Sequence, residues 1–227
     1  MSYSIVIPSK RVDNLVVCVQ ALRVAGETSR VLVVDDGLGG NLPRRRVAYL
    51  RGAKPFCFAR NCNIGIHAAG DDDVVLLNDD ALLANDQRFE GGFKDLQFST
   101  GADGYGIIAA STNVTGYPAQ RKRTSVGASI VREVYVAAFV CVYIPRRTIN
   151  AVGLLDERFT TYGGEDVDYC LRVREAGLKV GVSDFCYVNH SQLESTFRGP
   201  HPKNSAPGDI TESNRLGREK WGDKWPL

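Results

Sequence analysis

The first 80 residues alternate between short apolar runs and stretches in which apolar residues recur every three or four positions. The apolar runs are rich in Val, Ile and Leu, and most are followed by Pro, Asp or Asn. Such runs are typical of strands buried on both faces, whereas a 3.6-residue period is typical of helices. We therefore predict four strands, at residues 4–7, 30–34, 47–50 and 74–77, and two helices, one from Val12 to a stop at Gly26 and one over Ala59–Ala69.

The order of these elements predicts the fold class. A buried strand, a helix and a second buried strand form a βαβ unit, whose strands are parallel and whose helices cover the sheet. We predict an α/β protein with a Rossmann-like, mainly parallel sheet flanked by helices. Ligands bind such sheets beyond the carboxyl ends of the strands. Three predicted strands end there in polar residues, namely Pro8-Ser9, Asp35-Asp36 and Asn78-Asp79-Asp80.

The second half of the chain is less regular. Residues 111–133 are polar and turn-rich, and we interpret them as an excursion over the sheet. Residues 195–209 are rich in Pro, Gly and Ser, which indicates a mobile loop. We further predict helices over Gln87–Phe98 and Glu165–Ala176, and a short helix that follows Pro145 and ends at Asn150. The remaining predicted strands are Tyr105–Ala110, Ala137–Ile144, Val180–Val182 and Phe185–Val188. An amphipathic tail is predicted over Asn214–Trp225.

Length and composition narrow the class of protein. A chain of 227 residues without a linker-like segment is most economically one domain. Its net charge of +2 favours neither nucleic acid nor a membrane as partner. We expect no membrane span and no signal peptide, because no apolar stretch is long enough and no basic segment precedes the first strand. The six cysteines lack metal or CxxC spacing, so we expect buried free thiols and a cytoplasmic location.

The segment after the first strand excludes two common ways of holding phosphate. It reads Pro8-Ser9-Lys10-Arg11, where a dinucleotide-binding dehydrogenase would carry a glycine-rich loop. A Walker loop is absent as well. A phosphate-bearing ligand would therefore need another partner, and a divalent metal held by carboxylates is the usual one.

Asn78, Asp79 and Asp80 supply oxygen ligands of the kind that Mg²⁺ and Mn²⁺ prefer. The same triplet is also ordinary turn chemistry after a strand. His190 follows a later predicted strand and is either a further ligand, better suited to Mn²⁺ than to Mg²⁺, or a surface or core histidine. The residue pattern leaves both interpretations open.

Three carboxylates, Glu165, Asp166 and Asp168, crowd together behind Gly163-Gly164 and ahead of an apolar helical pattern. Free N–H groups and the macrodipole at a helix N-terminus stabilise such charges. The glycine pair lets a bulky ligand approach the backbone. The segment is either an acid-lined pocket wall or an ordinary acidic helix start.

Several separated segments together resemble the glycosyltransferase family 2 superfamily, which has the GT-A fold. The stretch from Phe159 to Arg172 carries the most specific likeness, to the family pattern DERF…GGEDVDLCLRxRxxG. The resemblance extends from residue 4 to about residue 190 and is to bacterial and phage rhamnosyl- and galactofuranosyltransferases. Gly163-Gly164-Glu165-Asp166 is also similar to animal β-galactosyltransferases. The other matching segments are Ser4–Ser9, Val33–Gly37, Phe58–Gly65 and Leu76–Asp80.

The resemblance implies a single GT-A domain with a C-terminal acceptor-side extension. Residues 1–110 would form a nucleotide-binding half, and residues 111–227 an acceptor-binding half with the tail. Asp36 would accept a hydrogen bond from the base of a nucleotide sugar, for which UDP is the expected nucleotide. Pro8 and Ser9 would line that pocket.

The resemblance also assigns the metal and diphosphate contacts. Asp80 would bind a Mn²⁺ or Mg²⁺ ion that bridges the diphosphate, and His190 would complete the metal site. Asn78 departs from a full Asp-x-Asp motif, so its role as a ligand stays open. Asp79 would meet the ribose or the sugar, and Arg60 would steady the diphosphate.

On the acceptor side, the resemblance makes Asp166 the general base and Glu165 the group that orients hydroxyls. Asp168 is left as a solvated or structural acid. A single displacement with a carboxylate base inverts the anomeric centre, so we expect an inverting enzyme. Because Asp166 lies at a predicted helix N-terminus, we expect its pKa to be lowered.

Three other functions compete with this one. A nucleotidyltransferase is disfavoured because its glycine-rich opening loop is missing. A non-catalytic carbohydrate- or partner-binding module on the same scaffold is disfavoured because Asp36, Asp80, Asp166 and His190 are present together. The third alternative is a retaining glycosyltransferase.

The expected partners are a nucleotide-sugar donor and an acceptor, which would be a glycan, a lipid-linked sugar, a protein or a modified nucleic acid. Two basic runs, at residues 44–46 and 121–123, would suit a polyanionic acceptor and are equally compatible with plain surface charge.

Overall fold

The structure is a computed structural model, and it describes residues 2–40, 42–85, 92–101, 104–121, 131–160, 163–190 and 207–227. Within these ranges nine strands form one sheet, and six helices are present. The strands are β1 (Tyr3–Ser9), β2 (Arg30–Asp35), β3 (Val47–Arg51), β4 (Asp73–Leu77), β5 (Leu82–Leu83), β6 (Tyr105–Thr112), β7 (Val131–Val134), β8 (Cys141–Ile144) and β9 (Lys179–Asn189). The helices are α1 (Val12–Val24), α2 (Phe58–Ala68), α3 (Phe93–Thr100), α4 (Arg146–Val152), α5 (Glu165–Glu175) and α6 (Pro207–Trp221).

The strands lie in the order β3-β2-β1-β4-β8-β6-β9-β5, and β7 also pairs with β9. Strands β3, β2, β1 and β4 are parallel neighbours. Strand β8 is antiparallel to both β4 and β6, and β9 is parallel to β6. Strands β6 and β9 therefore run in the same direction as β4. All six of these parallel strands end at one side of the sheet, which we call the carboxyl edge, and the predicted α/β class with a mainly parallel sheet is confirmed.

Helices cover both faces of the sheet because consecutive residues of the central strands are apolar and point to opposite faces. Ile7 of β1 packs in one core with Leu15 of α1 and Phe93 of α3. Val6 lies in the opposite core, beneath α2 and α5. A Cβ atom on Gly65 would lie 2.2 Å from Val6 Cγ1, so glycine lets α2 approach β1 closely.

The second half differs from its prediction in several elements. The two strands predicted at 180–182 and 185–188 are one strand, β9, because a register shift between Ala110 and Ser111 of β6 accommodates the polar residues between them. Only Cys141–Ile144 of the predicted strand at 137–144 joins the sheet. Strands β5 and β7 were not predicted. Helix α3 begins at Phe93, and residues 87–91 of the predicted helix lie outside the described residues.

The predicted amphipathic tail belongs to helix α6, whose first residues fall inside the predicted loop at 195–209; residues 195–206 lie outside the described ranges. The Trp225 ring, just beyond α6, stacks on Phe159 with 5.8 Å between centroids. Asp168 of α5 accepts hydrogen bonds from Trp221 Nε1 at 2.8 Å and from Lys220 Nζ at 2.6 Å. Asp168 is fully buried, so it is structural and the alternative of a solvated acid is wrong.

All six cysteines are free and buried, as predicted. Across the ranges that the structure describes, no helix combines the length and apolar character needed to cross a membrane.

Candidate functional site

Hydrogen bonds join the ends of three strands at the carboxyl edge. Ser9 Oγ, at the end of β1, donates to Asp79 Oδ2 beyond β4 at 2.5 Å. The backbone N–H of Asp36 donates to the carbonyl oxygen of Ser9 at 2.8 Å. Pro8, Ser9, Asp36 and Asp79 are all buried. These four residues, which are predicted to surround a nucleotide, are therefore brought together, and their roles stay predictions.

A tight turn directs the Asp36 side chain. The carboxylate of Asp35 accepts the N–H of Gly37 at 2.8 Å, and Gly37 has a φ of +113°, in the left-handed region that favours glycine. The Asp36 carboxylate then points to Lys54, whose Nζ lies 2.8 Å from Oδ1. The acid predicted to bind a base is thus held by a lysine that sequence reasoning missed.

Asp80 and His190 face each other at the carboxyl edge. Asp80 Oδ1 lies 3.2 Å from His190 Nε2, and Nδ1 of the same ring lies 3.0 Å from the carbonyl oxygen of Val114. The backbone N–H of His190 donates to Asn113 Oδ1 at 2.8 Å. Asp80 is buried, and the histidine side chain is 17% exposed. Two predicted metal ligands, 110 residues apart in the chain, are therefore neighbours.

Both ring nitrogens of His190 face acceptor oxygens, so the position of the ring proton affects cation binding. A neutral imidazole carries one N–H, so a proton on Nδ1 for Val114 leaves a lone pair on Nε2 facing the Asp80 carboxylate. Lone pair and carboxylate repel each other unless a proton or a metal ion lies between them. One carboxylate and one imidazole fit Mn²⁺ better than Mg²⁺, which prefers an all-oxygen shell.

Asn78 is a candidate for a further ligand. Its backbone N–H donates to the carbonyl oxygen of Val140 at 2.9 Å, whereas its side-chain oxygen is buried without a hydrogen-bond partner. Such an oxygen is costly unless a cation or a water meets it. The described ranges hold no group of three His, Cys, Asp or Glu side chains arranged for a metal. Other ligands would therefore be Asn78, water or phosphate oxygens.

Helix α5 begins at Glu165, where the chain turns sharply. Gly163 and Gly164 have φ angles of +80° and +101°, and a Cβ on Gly164 would lie 2.6 Å from the Phe159 ring. The positive φ angles favour glycine at both positions, and the space beside the Phe159 ring requires it at Gly164. The turn buries the first two carboxylates of the helix, with Glu165 8% exposed and Asp166 9% exposed.

Burial raises the pKa of both carboxyl groups above their ordinary values. The neighbouring Asp166 carboxylate raises the pKa of Glu165 further. Backbone N–H groups of the first turn and of Phe139 oppose the rise at Asp166, including the Val167 N–H at 2.8 Å from Oδ1. The predicted lowering of the Asp166 pKa is wrong, because the loss of water outweighs the helix terminus.

These raised pKa values define a pH dependence of stability. A carboxyl group with a higher pKa in the folded state binds its proton more tightly there, so the free energy of unfolding should fall as pH rises from about 4, the unfolded pKa, through the folded pKa. Glu165→Gln is expected to reduce this fall. Urea unfolding between pH 4.5 and pH 8 measures it, with Asp13→Asn, an exposed acid in the first turn of α1, as control. Parallel profiles for wild type and Glu165→Gln would contradict the assignment.

Phe139 and Val140 lie between Asp166, at the start of α5, and Asn78, at the end of β4. The backbone N–H of Phe139 lies near enough to the Asp166 carboxylate to lower its pKa, and the Val140 carbonyl accepts the Asn78 N–H. The start of α5 and the end of β4 therefore contact the same two-residue segment. The predicted acceptor-side and metal-side groups share one edge of the sheet.

Gln120 positions this segment and was missed in the sequence. Its Nε2 donates to the carbonyl oxygens of Ala110 at 3.3 Å and Ala138 at 3.0 Å, and its Oε1 accepts the Ala138 N–H at 2.9 Å. Gln120 is fully buried. It ties the segment that contacts Asp166 to β6. No periodic or motif signal marks this residue, since its role rests on contacts between distant parts of the chain.

Gln120→Leu is expected to lower the free energy of unfolding by about 3 kcal/mol, because backbone groups of Ala110 and Ala138 lose their partners. Urea unfolding monitored by circular dichroism measures this change. Gln20→Leu, on the exposed face of α1, is the matched control. A loss below about 0.5 kcal/mol, the usual size for a surface change, would show that Gln120 is dispensable.

Arg60 and the basic run at residues 44–46 take no part in the hydrogen bonds described above. Arg60 Nε donates to Glu157 Oε2 at 3.0 Å, and its role at a diphosphate stays a prediction. Arg44 and Arg46 precede β3 and line, with Arg30, an open groove of about 350 Å³. This groove lies at the amino ends of β2 and β3, about 16 Å from the carboxyl edge for a five-residue strand. Residues 122 and 123 of the second basic run lie outside the described residues.

Comparison with known proteins identifies the fold. The sequence matches no family model. It is 28% identical to an uncharacterized protein, y4gI, of Sinorhizobium fredii, in a match that covers 68% of this chain and 19% of that protein.

Three solved structures share the architecture at low sequence identity. GalNAc-T7, crystallised with UDP, GalNAc and Mn²⁺, matches with a TM-score of 0.71 and 15% identity over 99% of this chain and 49% of its own. Residues 1–349 of TarS from S. aureus match with a TM-score of 0.60 and 16% identity, over 95% of this chain and 64% of that one. The Drosophila β1,4-galactosyltransferase 7 catalytic domain, in complex with xylobiose, gives a TM-score of 0.54 and 16% identity, over 85% and 71%.

These matches show that the chain has the GT-A fold, as predicted. The chain spans about half the length of GalNAc-T7 and about a fifth of the length of y4gI.

Proposed function

We propose that the protein is a metal-dependent, inverting glycosyltransferase, which moves a sugar from a nucleoside diphosphate to an acceptor hydroxyl. The observation that carries this proposal is the placement of Asp166 and the end of β4 on the same segment, Phe139–Val140, with the Asp80–His190 pair beyond that strand end. A buried carboxylate and a candidate cation site thus share one edge of a GT-A fold. The segments that resemble family 2 favour that family, and UDP is the first nucleotide to test.

The donor side would hold the nucleotide sugar. Asp80 and His190, with Asn78, would hold Mn²⁺, whose positive charge stabilises a departing diphosphate. Asp36 would accept an N–H of the base, and the Ser9–Asp79 hydrogen bond would fix the pocket floor. The presence of UDP and Mn²⁺ in the GalNAc-T7 crystals supports this choice of ligands.

The acceptor side would carry out the proton transfer. The acceptor hydroxyl oxygen attacks the anomeric carbon from the face opposite the leaving group, and its proton moves to the Asp166 carboxylate. The bond from the anomeric carbon to the phosphate oxygen breaks, and its electron pair leaves with the nucleoside diphosphate. One displacement inverts the anomeric centre. Glu165, in the same turn, would orient the hydroxyl groups.

The raised pKa of Asp166 suits this role. A general base is most effective when its pKa lies near the working pH, because it is then both ionised and basic. Backbone N–H groups hold Asp166 partly ionised against its burial. Glu165 has fewer backbone N–H donors than Asp166, and the Asp166 carboxylate repels its charge. Glu165 would therefore keep its proton to a higher pH than Asp166 and donate a hydrogen bond.

A donor screen tests the proposed function. Nucleotide sugars are incubated with the protein, Mn²⁺ and a mixture of simple acceptors, and release of the nucleoside diphosphate is followed. We expect Mn²⁺-dependent release from at least one donor and a product of inverted configuration by NMR. Binding without release would identify a non-catalytic module, and retained configuration would exclude Asp166 as the base of a single displacement. A glycan, a lipid-linked sugar, a protein and a modified nucleic acid each offer the required hydroxyl.

A further inference from the structure

We propose that Lys54 binds the edge of the nucleotide base together with Asp36, so that the two side chains act as one recognition pair. This inference rests on the proposed function and extends it to a residue outside the family motifs. Lys54 Nζ lies 2.8 Å from Asp36 Oδ1 and 2.6 Å from the Asp36 carbonyl oxygen. The Lys54 side chain is 64% exposed, whereas that of Asp36 is 2% exposed. An exposed lysine thus covers a buried acid.

The backbone around Lys54 is held on both sides. Gly52 N–H donates to the carbonyl oxygen of Asp35 at 2.8 Å, which ties the loop to the end of β2. Ala53 N–H donates to Oδ1 of Asn61, a fully buried residue of α2, at 3.1 Å. The position of Lys54 is therefore set by the carboxyl edge itself.

The pair combines complementary hydrogen-bonding groups. An ionised carboxylate only accepts, and an ammonium group donates three N–H bonds, of which Asp36 receives two. The third N–H remains for a ligand. A uracil edge places one N–H beside carbonyl oxygens, so Asp36 would accept that N–H while Lys54 donates to an adjacent carbonyl. Lys54 would also prepare the site, since a buried carboxylate without a partner is costly.

Three other roles for Lys54 make different predictions. As a plain surface ion pair it would contribute little, and nucleotide binding would not depend on it. As a cover over Asp36 it would compete with the base, and its removal would tighten binding. A lysine that instead contacts the diphosphate would act equally on ligands that lack a base.

Calorimetric titration of the whole chain separates these cases. UDP, CDP, GDP, ADP and dTDP are titrated in the presence of Mn²⁺, with pyrophosphate as a probe that has no base. We expect Lys54→Met to weaken the preferred nucleotide about tenfold or more, as for a lost hydrogen bond to a charged group, and to leave pyrophosphate unchanged. Lys54→Arg, which keeps the charge and the donors, should retain most of the affinity. Lys54→Gln, which removes the charge, is the test if Lys54→Met does not fold, and it should weaken the preferred nucleotide while leaving pyrophosphate unchanged. Lys94→Met, on an exposed position of α3, is the matched control.

Each result bears on the pair. Unchanged or tighter nucleotide binding by Lys54→Met, or by Lys54→Gln where Lys54→Met does not fold, would overturn the recognition pair, as would an equal loss of affinity for pyrophosphate. These results would leave the proposed transferase intact. Failure of the wild-type protein to bind any of the five nucleotides would refute the proposed function, and the recognition pair with it.

Discussion

Asp166→Asn is expected to reduce sugar transfer by a factor of about 10³, because removal of a general base costs roughly 10² to 10⁴ in rate. The amide keeps the shape of the side chain, so the hydrogen bonds to the first turn can largely persist. The affinity for the nucleoside diphosphate should change little, since the described hydrogen bond of Asp166 is to the Val167 N–H of its own helix and not to Asp36 or Asp80. The loss should therefore appear in kcat rather than in donor binding.

Stability distinguishes this effect from unfolding. The pKa of Asp166 is raised in the folded state, so the ionised group opposes folding at neutral pH, and the asparagine variant should be at least as stable as wild type there. Asp13→Asn, at the start of α1, is the matched control and should retain full turnover. Turnover by Asp166→Asn within a factor of two of wild type would refute the role of the base.

His190→Ala is expected to raise the Mn²⁺ concentration for half-maximal transfer at least tenfold, as loss of groups that support a metal commonly does. Asp80→Asn should have the larger effect, because it removes the negative charge that attracts the ion. Excess Mn²⁺ should restore part of the activity of His190→Ala. Turnover measured across a Mn²⁺ titration, together with the thermal shift caused by Mn²⁺ and UDP, gives both quantities.

His67→Ala is the control for this experiment, since His67 is exposed in the last turn of α2. It should leave the Mn²⁺ titration unchanged. If His190→Ala and His67→Ala behave alike, the Asp80–His190 pair is an ordinary hydrogen bond, and the metal must be held elsewhere or be unnecessary.

The carboxyl edge was predictable because its signals are local. Buried parallel strands read as apolar runs, and the residues that follow them must lie at one side of the sheet. Ser9, Asp36 and Asp79 could therefore be placed together from their positions alone. His190 lies beside Asp80 for the same reason. Strand β9 runs in the same direction as β4, so the residues that follow the two strands lie at the same edge.

The remaining contacts depend on distances that a linear pattern does not contain. Lys54 and Gln120 lie in loops, and each matters through one or two hydrogen bonds to distant residues. The predicted direction of the Asp166 pKa shift was wrong for a related reason. A helix N-terminus is visible in the sequence, whereas the burial of its first turn is not. The arginines at 44–46 immediately precede β3, so they lie at the amino end of that strand, opposite the carboxyl edge.

Helix α6 would let the proposed transferase change its acceptor while keeping its catalytic residues. Ser213 of α6 approaches Gly164, where a Cβ would lie 3.3 Å from the Ser213 Cβ, and Lys220 fastens the helix to Asp168. Substitutions along α6 should therefore change the surface beside Glu165 and Asp166 without altering either residue. Related proteins that accept different hydroxyl compounds should differ most along this helix, and exchanging it between them offers a route to new acceptors.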